Sequence, residues 1–346
     1  MTDFSDKNSG EQELFEHYRF TVDPGQSPLR VDKYLMHHIE NASRSRLQTA
    51  ANNGNILINN EPVKPSHKVK PGDIITIVMA EPVRSKEMLA EDIPLEILYE
   101  DDDLIVVNKY AGMVVHPAHG NFSGTLVNAL LWHFQKEKKD ERKAKPGPYL
   151  VHRIDKNTSG VMLIAKNEIA QAKISEQFFD HSIDRKYNAL VWGDFEEDEG
   201  TIEGHVGRSL KNRKMMTVFP NGEYGKHAIT HYKVAERFGY VTLVECQLET
   251  GRTHQIRAHM KYIGHPLFND ETYGGDRVLK GTTFTKYKQF VRNCFAVCPR
   301  QALHARTLGF IHPSTGEKLL FEAPFPDDMQ QLLEKWTNYA VHRALD

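Results

Sequence analysis

The chain has 346 residues, enough for about two domains of ~150 residues each, and its 40% hydrophobic and 26% charged content is that of a globular protein rather than a disordered or fibrous one. No apolar run approaches the ~20 residues that span a bilayer, and the opening MTDFSDKNSGEQELFEH lacks the basic-then-apolar order of a signal peptide, so neither a membrane anchor nor secretion is expected and a cytoplasmic protein is. A net charge of −2 excludes a uniformly basic binder of polyanions, but residues 1–28 carry six acids against two bases whereas residues 29–78 carry seven bases against four acids, and local fields steer a polyanion more than the total does.

In chain order, residues 1–26 read as an acidic, flexible leader. A compact module follows over residues 27–80. Leu29 to Leu35 begins a short amphipathic helix, and Ser43 N-caps a second that opens with Arg44 and Arg46 and stops at Gly54. Ile56 and Ile58 alternate as a strand, Asn59-Asn60 turns, and Ile74, Ile75 and Ile77 close a small sheet after Pro71-Gly72-Asp73. Residues 81–94, which mix charge and proline, read as a linker. Beyond it come strands over 104–108, 160–166, 185–192, 228–237 and 241–248, and helices over 126–134, 169–179 and 254–263. Neighbouring strands without helices between them predict a mixed, largely antiparallel sheet, hence an α+β domain over residues 95–340. The cysteines Cys246, Cys294 and Cys298 are too few for a disulfide framework, and Cys294 with Cys298 lacks a second pair for zinc and encloses an apolar Phe-Ala-Val, so a structural role is expected.

The most informative segment is Tyr149-Leu-Val-His-Arg-Ile-Asp-Lys-Asn-Thr-Ser-Gly-Val-Met-Leu-Ile-Ala-Lys166. A charged, turn-rich stretch sits between apolar ones, as in a loop that presents reactive groups from a rigid scaffold. Asp155 lies beside Arg153 and Lys156, and nearby cations keep a carboxylate ionised. The plain alternative is an aspartate that caps a turn through Thr158 and Ser159. Arg208, Lys211, Arg213 and Lys214 form a basic run without an acid between strand-like segments, which suits RNA phosphates or simply solvent. His254 and His259 are five apart, on different helix faces, so no metal is expected from them or from His265.

The motif HRIDKNTSG resembles the signature of RluA/RluD-type pseudouridine synthases, and further blocks in the same order carry the likeness: PLEILYEDDDLIVVNKYAGMVV over 94–115, Lys186-Tyr187-Asn188-Ala189, Gly251-Arg252-Thr253-His254-Gln255-Ile256-Arg257 and Gln301-Ala302-Leu303-His304-Ala305. Residues 28–80 resemble the S4 RNA-binding domain, with Asn60 where that pattern often has glycine. The resemblance implies a pseudouridine synthase fold behind a small α/β S4-like module. It implies Asp155 as catalytic carboxylate, Arg257 as its orienting partner and Tyr187 as the residue stacked on the target base. It also implies Arg153 entering the RNA stack, Leu303 packing on the everted ring, and Arg44 and Arg46 on RNA phosphates.

The implied substrate is large-subunit ribosomal RNA, its helix 69 stem-loop included, with transfer RNA as the alternative; a monomer without cofactor or metal is expected. The rival functions are a non-catalytic RNA-binding assembly factor and a nucleoside hydrolase. The residue types suit the reaction. Detaching uracil builds positive character at C1′ that a charged carboxylate stabilises or traps, an arginine favours the ionised form, and a dry pocket protects the sugar from water.

Overall fold

The computed structural model describes residues 14–39, 42–79, 88–118, 120–136 and 147–345. The chain divides into two units, Met1–Glu87 and Met88–Asp346. Among the described residues no helix is long and apolar enough to cross a membrane.

In the first unit, β1 (Phe15–Thr21), β2 (Leu29–Arg30), α1 (Val31–His38), α2 (Arg44–Asn52), β3 (Ile56–Ile58), β4 (Glu61–Pro62), β5 (Lys68–Val69) and β6 (Ile74–Met79) follow in order. A four-stranded sheet, β1-β6-β3-β4, carries the two helices, with β2 paired to β5. β1 corrects the loose leader. Tyr18, Phe20 and Val22 alternate with polar residues, Phe20 pairs with Ile75, and Val22 is buried, so this stretch is an edge strand of the sheet. Residues 1–13 of that leader lie outside the described residues.

The first helix begins two residues later than expected, because Leu29 and Arg30 pair with Val69 and Lys68. Ser43 caps α2 by accepting from the Arg46 amide at 3.4 Å, and Asn59 and Asn60 make their turn in left-handed conformations, φ 53° and 69°. Fully buried Asp32 ties α1 to α2, accepting from Arg30 at 3.0 and 2.9 Å, Arg44 at 3.2 Å and Gln48 at 2.9 Å.

The second unit starts inside the expected linker. Residues 80–87 lie outside the described residues, but Leu89 accepts from Asn128 at 2.7 Å and the Glu91 carboxylate accepts from the Gly124 amide at 3.0 Å, so 88–94 packs with this unit. Its elements are β7 (Glu96–Glu100), β8 (Leu104–Lys109), α3 (Leu126–Lys136), β9 (Tyr149–Leu150), β10 (Ser159–Ala165), α4 (Glu168–Phe179), β11 (Asp184–Trp192), β12 (Glu199–Arg208), β13 (Met216–Phe219), β14 (Lys226–Arg237), β15 (Val241–Leu248), α5 (Gln255–Tyr262), α6 (Thr285–Val297), β16 (Leu303–Ile311), β17 (Lys318–Glu322) and α7 (Asp327–Leu345). The last helix runs past residue 340, where the catalytic domain was expected to end.

One sheet holds the unit together in the order β13-β12-β14-β15-β11-β16-β10-β8-β7, with β17 on β16 and β9 on β10. Among the described residues only β10 and β16 pair in parallel, so the sheet is mixed and largely antiparallel, as the strand spacing predicts. Strand alternation separates two cores. Val107, Met162, Tyr187, Ala189 and Cys246 face one side with Leu126 and Leu130 of α3 and Ile256 and Met260 of α5. Leu190, Trp192 and Leu243 face the other with Val291 and Cys294 of α6 and Leu332 and Trp336 of α7. The three cysteines are buried thiols. Gly160 sits where β10 meets β16. A Cβ there would lie 2.1 Å from the Ala305 carbonyl oxygen at a φ of +114°, so only glycine brings these two strands together.

Candidate active site

β9 pairs antiparallel with β10, Leu150 opposite Ile164, and this clamps the base of the loop that carries His152, Arg153, Ile154 and Asp155. His152 anchors the loop. Its Nε2 accepts from the Leu163 amide at 2.9 Å and its ring stacks on Phe178 at 4.9 Å, while burial pulls its pKa down to about 3 and keeps the imidazole neutral. Ile154 is buried, and the flanking Arg153 and Asp155 point to solvent and to a cleft.

The turn after Asp155 is held by two buried cations. Lys109 Nζ donates to the carbonyls of Lys156, Tyr110 and Met113 at 3.1, 2.8 and 2.9 Å, one for each N–H of an ammonium. Arg300 Nη1 donates to Asn157 at 3.0 Å and to Leu303 at 3.2 Å, and its other edge grips Asp328 of α7. Burial and Arg300 draw Lys109 down to about 7. Ser159 Oγ bonds His304 Nδ1 at 2.9 Å and Thr158 Oγ1 has no partner among the described residues, so neither hydroxyl uses the Asp155 carboxylate as a turn cap.

That carboxylate meets Arg257 instead. Arg257 Nη1 donates to Asp155 Oδ2 at 2.8 Å, and Nε and Nη2 donate to Asp270 at 2.7 and 2.9 Å. The Asp270 side chain is wholly buried and that of Asp155 is 23% exposed, so the guanidinium is locked from behind and offers its front to the open carboxylate. Burial alone would lower the Arg257 pKa, but Asp270 and Asp155 outweigh it and hold the cation above its ordinary value.

The Arg257 guanidinium also lies 4.9 Å from the Tyr273 ring centroid. His254, in left-handed conformation at the start of α5, sets Nε2 3.8 Å from Asp155 and Nδ1 3.1 Å from the Tyr273 hydroxyl, which accepts from the Met216 amide. Burial pulls His254 below its ordinary pKa despite Asp155, which favours the neutral ring. His259 and His265 bond Thr230 and the Trp192 carbonyl, and among the described residues no group of three His, Cys, Asp or Glu side chains could hold a metal.

Asp155 and Arg257 open onto a cleft of about 500 Å³, within the ~300–1,000 Å³ of small-ligand sites, whose wall also includes Arg153, Tyr187 and Leu303. Five residues singled out from the sequence, spread from position 153 to position 303, are thus brought together. Burial raises the pKa of Tyr187, which disfavours a phenolate.

The remaining expected residues lie elsewhere. Arg44 and Arg46 belong to α2 of the first unit, where Arg44 reaches Asp32 and Arg46 is exposed. Arg208, Lys211, Arg213 and Lys214 are exposed on the β12–β13 hairpin, whose return strand is tied to the site by the Met216–Tyr273 bond. Lys186 points away from the cleft to Glu245 at 2.9 Å; the cation that β11 sends into the cleft wall is Arg185. Sequence reasoning also missed Asp270, Tyr273, Lys109 and Arg300. Only Arg185 left a legible signal, being two residues from Tyr187 on one strand and hence on the same face.

Residues 103–262 match the RNA pseudouridylate synthase family and residues 29–75 match the S4 domain. An uncharacterized RNA pseudouridine synthase of Chlorobaculum parvum is 48% identical over 90% of this chain and 94% of its own length. The protein named ribosomal large subunit pseudouridine synthase D in Zymomonas mobilis is 42% identical over 88% and 93%. The solved structure of human RNA pseudouridylate synthase domain containing 1 superimposes with a TM-score of 0.50 at 27% identity, over 67% of this chain and 84% of that one. With an S4 domain in front and near full-length relatives above 40% identity, the chain belongs to the RluA-type RNA pseudouridylate synthase family and is an isomerase that converts uridine in RNA to pseudouridine.

Proposed function

We propose that this pseudouridine synthase modifies large-subunit ribosomal RNA in the cytoplasm, with Asp155 as the catalytic carboxylate and the target uridine everted into the cleft beside it. The supporting observation is the Asp155–Arg257 ion pair at 2.8 Å, backed by buried Asp270 and opening onto a cleft walled by Tyr187 and Leu303. In the reaction the N1–C1′ bond breaks, uracil turns, and C5 joins C1′ while the C5 proton is lost and N1 regains one. Positive character at C1′ calls for a carboxylate, which the Arg257 guanidinium aims through its 2.8 Å hydrogen bond. Tyr187 and Leu303 give the detached base an apolar cradle in which it can rotate. Tyr187 is assigned to stacking, since burial raises its pKa and disfavours a phenolate base.

Eversion breaks stacking at a cost of a few kcal/mol. Exposed Arg153 at the cleft mouth is the side chain suited to enter the vacated position. Arg44 and Arg46, and the basic hairpin of Arg208, Lys211, Arg213 and Lys214, are assigned to backbone phosphates. The ribosomal substrate is favoured by the relatives named ribosomal large subunit pseudouridine synthase D, at 42% identity in Zymomonas mobilis and Vibrio cholerae.

Incubation with unmodified large-subunit ribosomal RNA, followed by carbodiimide-stop mapping, is expected to reveal new pseudouridine at discrete positions. Pseudouridine in transfer RNA alone would overturn the ribosomal assignment, and free uracil in the mixture would indicate hydrolysis instead of isomerisation.

A further inference from the structure

Three arginines are buried among the described residues of the second unit: Arg185, Arg257 and Arg300. Arg257 has two carboxylate partners and Arg300 has Asp328. Arg185, only 6% exposed, has none. Its Nη2 donates to the Glu249 carbonyl at 3.1 Å, its Nε has no partner, and Nη1 makes no hydrogen bond among the described residues. The Phe178 ring lies 5.2 Å from the guanidinium, with neutral His152 stacked on that ring, so no anion compensates the charge from that side. Burial pulls the guanidinium below its ordinary pKa, only partly offset by Tyr187. An uncompensated buried charge is unfavourable, and a ligand of opposite charge relieves that cost on binding.

The surroundings say where that ligand enters. Arg185 and Gly251 both line the cleft that holds Asp155 and Tyr187. A Cβ on Gly251 would stand 2.9 Å from Arg185 Nη1, so the missing side chain leaves the Nη1 edge open. We propose that Arg185 is a phosphate-binding residue whose Nη1 edge takes one backbone phosphate of the bound RNA, next to the everted uridine, through the gap at Gly251. A phosphodiester is favoured over a uracil carbonyl because only the former cancels the charge. The assignment rests on reading this cleft as the uridine pocket.

The test measures binding of a large-subunit ribosomal RNA stem-loop transcript against salt concentration for wild type, Arg185→Lys, Arg185→Gln and Gly251→Ala, with pseudouridine formation followed in parallel. Arg185→Gln is expected to weaken binding about 10- to 100-fold and to flatten the log Kd–log salt slope by about 0.7, whereas Arg185→Lys keeps most of the slope. Gly251→Ala is expected to weaken binding with the arginine in place. A single methylphosphonate beside the target uridine should weaken binding to wild type and not to Arg185→Gln. The melting temperature of Arg185→Gln should not fall, since a buried unpaired charge is removed; should it fall, Arg185→Met is measured in its place. An unchanged salt slope together with equal methylphosphonate penalties in both proteins overturns the assignment, even if pseudouridine still forms. If the slope changes as expected but wild type forms no pseudouridine, the uridine-pocket reading fails and the phosphate contact stands.

Discussion

Two arginine–carboxylate clusters, one in each unit, use the same chemistry with opposite members exposed. In the first unit Asp32 is the buried hub, and Arg30 and Arg44, 37% and 47% exposed, surround it with their charge facing out. In the second unit the cation is the hub. Arg257 is 6% exposed, Asp270 closes it from behind, and Asp155 is the member left open at 23%. The buried member fixes geometry and the exposed member sets the sign that faces out: positive in the first unit, negative in the second. Arg185 is a third arrangement, a buried cation with the carboxylate left out.

Breaking the second cluster should have the larger effect. Asp270→Asn leaves Arg257 without its buried anchor, and removing one partner of a buried pair typically costs about 3–5 kcal/mol. A lower melting temperature is expected, with turnover reduced about 100-fold by misplacement of Asp155. A melting temperature equal to wild type would show that Asp270 is not what holds Arg257.

Asp32→Asn should cost the first unit less, about 1.5–3 kcal/mol at neutral pH as charge-assisted hydrogen bonds are lost. Its pH dependence sharpens the contrast. Hydrogen bonds from Arg30, and then from Gln48 and Arg44, hold the Asp32 carboxyl below its ordinary value against the opposing effect of burial. Its folded pKa therefore lies below the unfolded value near ~3.9. The stability it contributes is present above that value and is lost as pH falls from there toward the folded pKa. Acid titration of unfolding should show a shallower acid limb in Asp32→Asn than in wild type, and identical limbs would remove Asp32 from the account. Tyr187→Phe should have the smallest effect, less than about 10-fold on kcat, as expected of a stacking ring that moves no proton. A loss of about 100-fold or more, the scale of general acid–base catalysis, would assign its hydroxyl to the chemistry.

What could be read from the sequence follows from how local each cause is. Asp155 and Arg257 sit in motifs that resemble family blocks, and the mixed sheet followed from strands spaced without helices. The Asn59-Asn60 turn and the Ser43 cap were legible because each is decided within four residues. Asp270 was not, since its role comes from tertiary contact with an arginine 13 positions earlier. β1 escaped because charged neighbours masked a short alternation that becomes a strand only when β6 lies beside it. Arg185 was not singled out, although strand alternation puts it on the side of Tyr187. The β16 and α7 region was left unassigned, its apolar Met329, Leu332 and Trp336 acquiring meaning only against the sheet face they cover.

On the proposed function, the exposed carboxylate of the second cluster carries the reaction. The direct measurement is single-turnover pseudouridine formation on ribosomal RNA by Asp155→Asn, an isosteric change that removes the charge, with RNA affinity measured on the same preparation. The predicted result is a rate loss of at least about 10⁴-fold, the scale seen when a central catalytic residue is removed, with affinity within a few-fold of wild type. Turnover within about 10-fold of wild type would contradict it.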